Sequence, residues 1–261
     1  ILHDLKGEPI GIFRETAQSL INRSFANTIA NQSPETRQQL AERAVQLAVK
    51  ECFENGITSF QDAGSSFLEI ASLKAMAEQG KIGVRLWIMV RDHLELMEDN
   101  LPRAKVTRYA NNFFTVGGIK LSLDGALGAH GAWLLMPYED LSSSVGLNTA
   151  PMETAKALAD LAIKHGYQYC VHAIGDRANR EVLNIFEEAF NKNPSLQPRR
   201  WRIEHAQHLH PDDIPRFGEL GVIAAMQGIH CTSDAVFVLQ RLGMRRSEEG
   251  AYVWQKLLKS G

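Results

Sequence analysis

Short apolar runs alternate with amphipathic helical segments along most of this 261-residue chain. Each run is as long as a strand, and the segment after it repeats its apolar positions at helical spacing. The runs lie at residues 57–60, 84–90, 118–123, 167–171, 201–204 and 221–226. Strict alternation of this kind predicts a parallel sheet with helices outside it, because parallel strands need long crossover connections. We therefore predict an α/β protein with about six βα units.

The helical segments begin and end at residues that favour helix boundaries. Ser33 and Pro34 are typical of an N-cap and a first turn, and Asn55-Gly56 is typical of the end of that helix. Further helices are predicted over residues 66–80, 151–165, 176–190 and 211–220, and after residues 233 and 250. These boundaries place a helix after five of the six strands.

Two architectures fit such a pattern: an open doubly wound sheet and part of a (β/α)8 barrel, the TIM barrel. The only glycine cluster, at residues 125–131, has the wrong spacing for a dinucleotide-binding loop. In a barrel, functional side chains project from the carboxyl ends of the strands. Polar residues stand at or near the ends of the apolar runs, namely Asp62, Lys120, Asp124, His172, His205, Gln227 and His230. This arrangement favours the barrel.

Two of these polar residues are histidines that follow consecutive strands. Neighbouring strands lie about 4.8 Å apart, so His172 and His205 are expected to lie close together. Imidazole suits zinc and similar ions, and the pair therefore predicts a shared divalent metal that activates a water molecule.

Lys120 is unusual because it lies within a strand, between Ile119 and Leu121. A lysine at such a position is either extended to solvent or has a special task, since a desolvated amine is a good nucleophile. It could form a Schiff base with a carbonyl substrate, or react with carbon dioxide to give a metal-binding carbamate. The chemistry of the residue leaves both roles open.

Six segments of the chain carry motifs of a known family. They are GITSFQDAG, GGIKLSLDGALG, VHAIGDRANREVL, RIEHAQHLHPDDIPRFGELGV, AAMQGIHCTSD and LGMRRSEEGAYVWQKLLKSG. Together they resemble the YtcJ-like branch of the amidohydrolase superfamily, also called amidohydrolase family 3. The resemblance runs from near the first residue to the last, and VHAIGDRAN with RIEHAQ is specific.

The resemblance implies a barrel with a metal site at the carboxyl ends of its strands. Lys120 is then the carboxylated, metal-bridging lysine, and His172 and His205 are metal-ligand histidines. His230 is expected to act as a catalytic residue that faces the substrate. The implied reaction is hydrolysis of a C–N bond outside peptides, in an amide, formamide or cyclic amide, with one or two ions, most simply zinc.

Parts of the family pattern are absent from this chain. There is no His-x-His pair near its start, where His3 stands alone, and the family's final metal-site aspartate would lie beyond Gly261. The flanking β-sandwich is absent too. We therefore expect residues 1–261 to form a single domain, an incomplete barrel without its first and last metal-site strands. Such a fragment of a longer parent is expected to be inactive alone and to self-associate through its exposed barrel edges.

Four further positions were assigned from the sequence. His208 and His210 form a His-x-His, but they follow His205 in a loop and are interpreted as surface residues. Gly228 stands where the family has proline, and His130 where it has arginine. Both differences affect expected substrate contacts.

Two alternatives to the hydrolase remain open. The first is a Schiff-base lyase that uses Lys120, which leaves the neighbouring histidines unexplained. The second is a non-catalytic scaffold or regulatory barrel that keeps the motifs for packing.

Composition and charge limit the classes of partner. The chain has 28 basic and 30 acidic side chains, a net charge of −2, so neither nucleic acid nor an anionic membrane is expected as a partner. No apolar run is long enough to span a bilayer. The three cysteines lack metal-ligand spacing and predict free thiols in a reducing cytoplasm. The expected partner is a small-molecule substrate, with specificity set partly by the insertion at residues 126–151.

Overall fold

Strands and helices alternate over residues 59–225 of this computed structural model, which describes residues 1–13 and 15–261. The chain forms two compact units, one of residues 17–120 and one of residues 1–16 together with 121–261. Each unit has its own strands and helices. The assignment of residues 1–261 to a single domain stays a prediction.

The unit of residues 17–120 begins with helices and continues with parallel strands. Its helices are α1 (Ser19–Ala30), α2 (Pro34–Glu54), α3 (Phe67–Glu78), α4 (Leu94–Ala104) and the single turn α5 (Tyr109–Asn112). Its strands are β1 (Ser59–Ser65), β2 (Arg85–Val90), β3 (Val106–Arg108) and β4 (Phe114–Ser122), of which the last two residues belong to the other unit. β2 pairs in parallel with both β1 and β4, and β3 pairs antiparallel with β4.

The other unit carries the three remaining strands. They are β5 (Gln168–Ala173), β6 (Arg202–His205) and β7 (Ile223–Ala225), and they pair in parallel in that order. Its helices are α6 (Met152–His165), α7 (Asp176–Lys192), α8 (Ile214–Leu220), α9 (Ile229–Asp234), α10 (Val238–Gly250) and α11 (Trp254–Ser260). The chain leaving β4 runs beside β5, since Leu123 donates its backbone N–H to the carbonyl of His172 over 3.1 Å.

The predicted α/β fold, with six βα units of a partial (β/α)8 barrel, is confirmed. The parallel strands β1, β2, β4, β5, β6 and β7 follow one another in chain order, and helical connections separate them. Sequential parallel strands with helical crossovers are the repeating element of that fold.

Predicted helix boundaries agree with the structure. The Ser33 hydroxyl accepts the N–H of Thr36 at the start of α2. Gly166 ends α6 in the left-handed region, at φ +67°, where glycine carries no steric penalty.

Helices α1, α4 and α5 and strand β3 of the first unit were not predicted, and β1 differs from its predicted bounds. β1 extends to Ser65, beyond its predicted end at residue 60. Helix α4 has only Met97 and Leu101 buried, and Pro102 lies in its last turn, so its sequence combines a weak apolar pattern with a helix-breaking residue.

An aromatic cluster packs α7 against β5 and β6. Tyr169, Phe186, Phe190 and Trp201 are buried, with neighbouring ring centroids 4.9 to 6.1 Å apart. Such pairs contribute about 0.5–1.5 kcal/mol each beyond the burial of their area. The cluster therefore holds together the two strands that carry the histidines described below.

None of the three cysteines, all within the described residues, forms a disulfide, in agreement with the predicted thiols. Cys52 and Cys170 are buried, and Cys231 is half-buried. Of the helices within residues 1–13 and 15–261, none combines the length and apolar character that a bilayer-spanning helix needs.

Candidate metal centre

Five of the polar strand-end residues lie together in the unit that contains β5, β6 and β7. They are Asp124, His172, His205, Gln227 and His230. The ring centroids of His172 and His205 are 4.5 Å apart, and those of His205 and His230 are 5.5 Å apart. The expected proximity of His172 and His205 is confirmed, whereas their binding of a metal stays a prediction.

The backbone at the end of β6 is strained where it presents His205. The φ angles of His205 and Ala206 are +75° and +42°, in the left-handed region that residues other than glycine rarely adopt. Conformations of this kind cost on the order of 1–3 kcal/mol each and cluster at functional sites. The strain therefore marks the end of β6 as a candidate functional position.

Asp124 binds backbone N–H groups of the segment that follows His172 and of the insertion. Its buried carboxylate accepts backbone N–H groups from Trp133 at 2.9 Å, Ile174 at 3.0 Å and Gly175 at 2.8 Å. These bonds join the chain after β4 and the insertion to the end of β5. They hold the loop that follows His172 in place.

The imidazole of His172 lies against the same carboxylate. Its Nε2 is 3.3 Å from Oδ1 of Asp124, but this buried nitrogen makes no hydrogen bond within the protein. Buried polar atoms are nearly always paired, so an orphaned ring nitrogen in a cluster of histidines is a sign of a group that binds there.

The donor set fits a divalent metal in part. Two neighbouring imidazoles are suitable ligands for zinc and similar ions, and one of them has an orphaned nitrogen. Catalytic zinc sites, however, use three protein ligands. Among the described residues, no three or more His, Cys, Asp or Glu side chains are arranged to hold a metal ion. His172 and His205 would therefore form two positions of a larger ligand set.

Lys120 belongs to the other unit and is 6% exposed, so its predicted position within a buried strand is confirmed. Its stem lies beside Gly64 of β1, where a Cβ atom would be 3.5 Å from Cγ of Lys120 and 2.9 Å from Cδ of Arg91. The missing side chain at Gly64 makes room for both. Carboxylation of Lys120 stays a prediction.

Asp62, another strand-end residue of that unit, serves a local turn. Its carboxylate accepts the N–H of Gly64 at 2.9 Å and the hydroxyl of Ser65 at 3.1 Å. These two hydrogen bonds explain why a polar side chain is present at this position, so no ligand is needed to explain Asp62.

The interpretation of His208 as a surface residue was wrong. Its side chain is buried, 3% exposed, and its ring lies 5.3 Å from that of Tyr252. Nε2 of His208 lies 3.3 Å from the amide nitrogen of Gln207. Burial lowers the pKa of His208 from 6.5 to about 3, and His208 is therefore neutral at physiological pH. His210 is half-buried and pairs with Asp212 at 3.5 Å.

Replacing His208 by glutamine is expected to reduce the loss of stability in acid. The folded-state pKa lies below the unfolded value of 6.5, so the unfolded chain takes up a proton that the folded chain does not. The free energy of unfolding should therefore fall as the pH drops below about 6.5, by about 2 kcal/mol between pH 7 and pH 5 for this one group. Urea unfolding at the two pH values measures the difference.

The exposed His93 is the matched control for this substitution. A His93→Gln variant should lose as much stability in acid as the unchanged chain, whereas His208→Gln should lose about 2 kcal/mol less. Equal losses in both variants would contradict the assignment.

The motif VHAIGDRAN has structural roles that sequence reasoning found only in part. A Cβ atom at Gly175 would lie 2.0 Å from the carbonyl oxygen of Trp133, so only glycine fits there. Asp176 begins α7 and accepts the N–H of Leu135 at 2.9 Å, in agreement with its interpretation as a helix-start residue. The buried amide of Asn179 donates to the carbonyl of Gly175 at 2.9 Å.

The insertion at residues 126–151 has a buried core of its own. Its members from the insertion are Leu127, Ala132, Leu134 and Tyr138, and they pack with Ile174 from the segment after β5 and with Val238 and Leu242 of α10. Leu134 and Tyr138 therefore pack the insertion. His130 pairs with Asp140 inside the insertion at 3.1 Å.

A cavity of about 250 Å³ lies beside this core. Its lining includes Leu135, Asp176, Arg180, His208 and Arg246. It is separate from the pair formed by His172 and His205, neither of which contributes to its wall.

Comparison with known proteins identifies the family. The amidohydrolase family matches this chain over residues 1–261. The chain is 30% identical to YtcJ of Bacillus subtilis (strain 168), which is named as an amidohydrolase, over 263 residues that cover 100% of this chain and 47% of that protein. Protein LONG AFTER FAR-RED 3 of Arabidopsis thaliana is also 30% identical, over 97% of this chain and 43% of the relative.

A solved structure shows the same fold. The crystal structure of an uncharacterized metal-dependent hydrolase from Pyrococcus horikoshii OT3 matches 94% of this chain and 46% of that one, with a TM-score of 0.75 and 25% identity. The chain thus spans about half the length of the proteins it resembles. The resemblance inferred from the six sequence segments is confirmed, and the chain belongs to the amidohydrolase family.

Proposed function

We propose that the full-length protein is a metal-dependent hydrolase of C–N bonds outside peptides, acting on amides, formamides or cyclic amides. The observation that carries the proposal is the pair of adjacent imidazoles at the ends of β5 and β6, with a buried nitrogen of His172 that lacks a hydrogen bond. Membership of the amidohydrolase family and similarity to a metal-dependent hydrolase support it.

His172 and His205 would hold the ion, zinc or a similar divalent metal. When bound, such a metal polarises a carbonyl group and supplies a water nucleophile at neutral pH. Asp124 keeps the segment after His172 in place, and Gln227 contacts His205 directly. The bond to Gln227 restricts rotation of the His205 ring.

Lys120 is proposed to complete the ligand set as a carbamate. Its amine would attack carbon dioxide, forming an N–C bond and releasing a proton, and the product carries a negative charge that suits a metal ligand. Burial of the lysine stem is consistent with this role, because a desolvated amine is more readily neutral and nucleophilic.

His230 is the proposed catalytic residue. It is half-buried at the start of α9, with its ring centroid 5.5 Å from that of His205. An imidazole in this position can donate a hydrogen bond to a substrate oxygen or move a proton. We propose that it acts beside the metal without being one of its ligands.

We expect the 261-residue chain alone to be inactive, because two histidines and one lysine do not provide the complete set of groups for metal binding and proton transfer. Cytoplasmic location, a small-molecule substrate and self-association also stay predictions.

The proposal is tested by the metal content of the full-length protein, purified without chelators, together with a hydrolysis screen. We expect one or two zinc-like ions per chain and release of amine from at least one formamide, amide or cyclic amide. Protein that contains no metal and hydrolyses none of these compounds would contradict the proposal. Borohydride trapping of a substrate adduct on Lys120 would then indicate the Schiff-base alternative.

A further inference from the structure

Gln227 and His205 form a short hydrogen bond in which only His205 can be the donor. Nδ1 of His205 lies 2.6 Å from Oε1 of Gln227. The amide nitrogen of Gln227 donates to the carbonyl of Ala225 at 3.0 Å. Rotating the amide by half a turn would break that second bond and place an N–H group against His205. The two bonds therefore fix the orientation of the amide.

The orientation of the amide determines which nitrogen of His205 carries the proton. An amide oxygen accepts hydrogen bonds and cannot donate them, so Nδ1 of His205 must be protonated to make this bond. In the neutral imidazole the lone pair then resides on Nε2. A histidine in water favours the opposite form, with its proton on Nε2.

The packing around His205 gives this bond a second effect. The His205 ring lies edge-on to the rings of His172 and His230, with interplanar angles of 75° and 81°. Because the backbone of His205 is in the left-handed region, its side chain leaves the strand in an unusual direction. The bond to Gln227 fixes the rotation of the ring between its two neighbours.

We propose that Gln227 is a positioning residue that holds His205 in the Nδ1-protonated form and so presents Nε2 as the metal-binding nitrogen. The metal-binding part rests on the proposed function, but the protonation pattern is a property of the metal-free chain. Partners of this kind set the tautomer and orientation of ligand histidines, and their loss weakens metal binding by roughly 10–100-fold.

Nitrogen NMR of the ¹⁵N-labelled, metal-free chain determines the tautomer of His205 directly. At about pH 8, where imidazoles are mostly neutral, long-range ¹H–¹⁵N correlations distinguish protonated from unprotonated ring nitrogens. The His205 signals are assigned by their loss in a His205→Asn variant. We expect His205 to be protonated on Nδ1 in the unchanged chain. The Gln227→Met substitution removes the amide acceptor but keeps a side chain of similar size. In this variant we expect His205 to shift towards the Nε2-protonated form.

A Gln207→Met variant is the matched control. Gln207 lies two residues after His205 and is buried, whereas Gln227 is half-buried, and the amide of Gln207 donates to Asp234. This variant should leave the His205 tautomer unchanged. Protonation of His205 on Nε2 in the unchanged chain would overturn the inference even if Gln227→Met failed to fold, and so would an unchanged Nδ1-protonated form in a folded Gln227→Met variant.

Zinc titration of the full-length protein separates this inference from the proposed function. Gln227→Met should bind zinc roughly 10–100-fold more weakly than the unchanged protein. Unchanged zinc affinity would overturn the presentation of Nε2 to a metal. If the unchanged protein binds no zinc while His205 keeps its proton on Nδ1, the proposed function fails and the tautomer assignment stands.

Discussion

The His172→Ala variant of the full-length protein is expected to lose its bound metal and its hydrolytic activity. The substitution removes one of two adjacent imidazoles and leaves the carboxylate of Asp124 facing an empty space. Loss of a direct ligand should weaken metal binding by more than the roughly 10–100-fold that outer partners cost. Metal content per chain and turnover of an identified substrate measure the two effects.

His165 offers the control for this experiment. It is the last residue of α6 and is not part of the histidine cluster, so His165→Ala should keep both metal and activity. His205→Ala should behave like His172→Ala. Full metal content and normal turnover in either cluster variant would remove that residue from the proposed ligand set.

The Asp124→Ala variant is expected to lose a large part of the stability of the chain. Three backbone N–H groups, from Trp133, Ile174 and Gly175, would lose their shared acceptor. Each buried donor left without a partner costs about 1–3 kcal/mol, so the free energy of unfolding should fall by about 3–9 kcal/mol. That is a large fraction of the roughly 5–15 kcal/mol typical of a folded protein. Urea unfolding of the 261-residue chain measures it.

Variants of two other aspartates provide comparisons for the loss of stability expected in Asp124→Ala. Asp176 accepts two backbone N–H groups, so Asp176→Ala should cost less than Asp124→Ala. Asp212 has a side chain that is 83% exposed, and Asp212→Ala should change stability by no more than about 0.5 kcal/mol. An Asp124→Ala variant as stable as Asp212→Ala would mean that the three N–H groups find other partners.

The sequence predicted those parts of the site that follow from strand direction. His172 and His205 each end a short apolar run, and the ends of parallel strands meet at one edge of a sheet. Their proximity needed no knowledge of side-chain packing. The position of Lys120 within a strand followed in the same way from its apolar neighbours.

Contacts between residues that are distant in the sequence could not be predicted from strand direction. His208 appeared to be a loop residue because Tyr252, which covers it, follows much later in the sequence. The fit of Gly175 against the carbonyl of Trp133 depends on the path of the insertion, which has no periodic pattern. The bond between Gln227 and His205 likewise depends on a left-handed backbone that no residue type in that segment signals.

The buried core of the insertion has a consequence for how the insertion can vary. Leu134 and Tyr138 of the insertion share that core with Val238 and Leu242 of α10. Altered volume on one side must be compensated on the other, because close-packed interiors tolerate little change at a single position. Variation in the two segments is therefore coupled, and a change of volume at Leu134 or Tyr138 should be tolerated better when Val238 or Leu242 changes in compensation than when it stays unchanged.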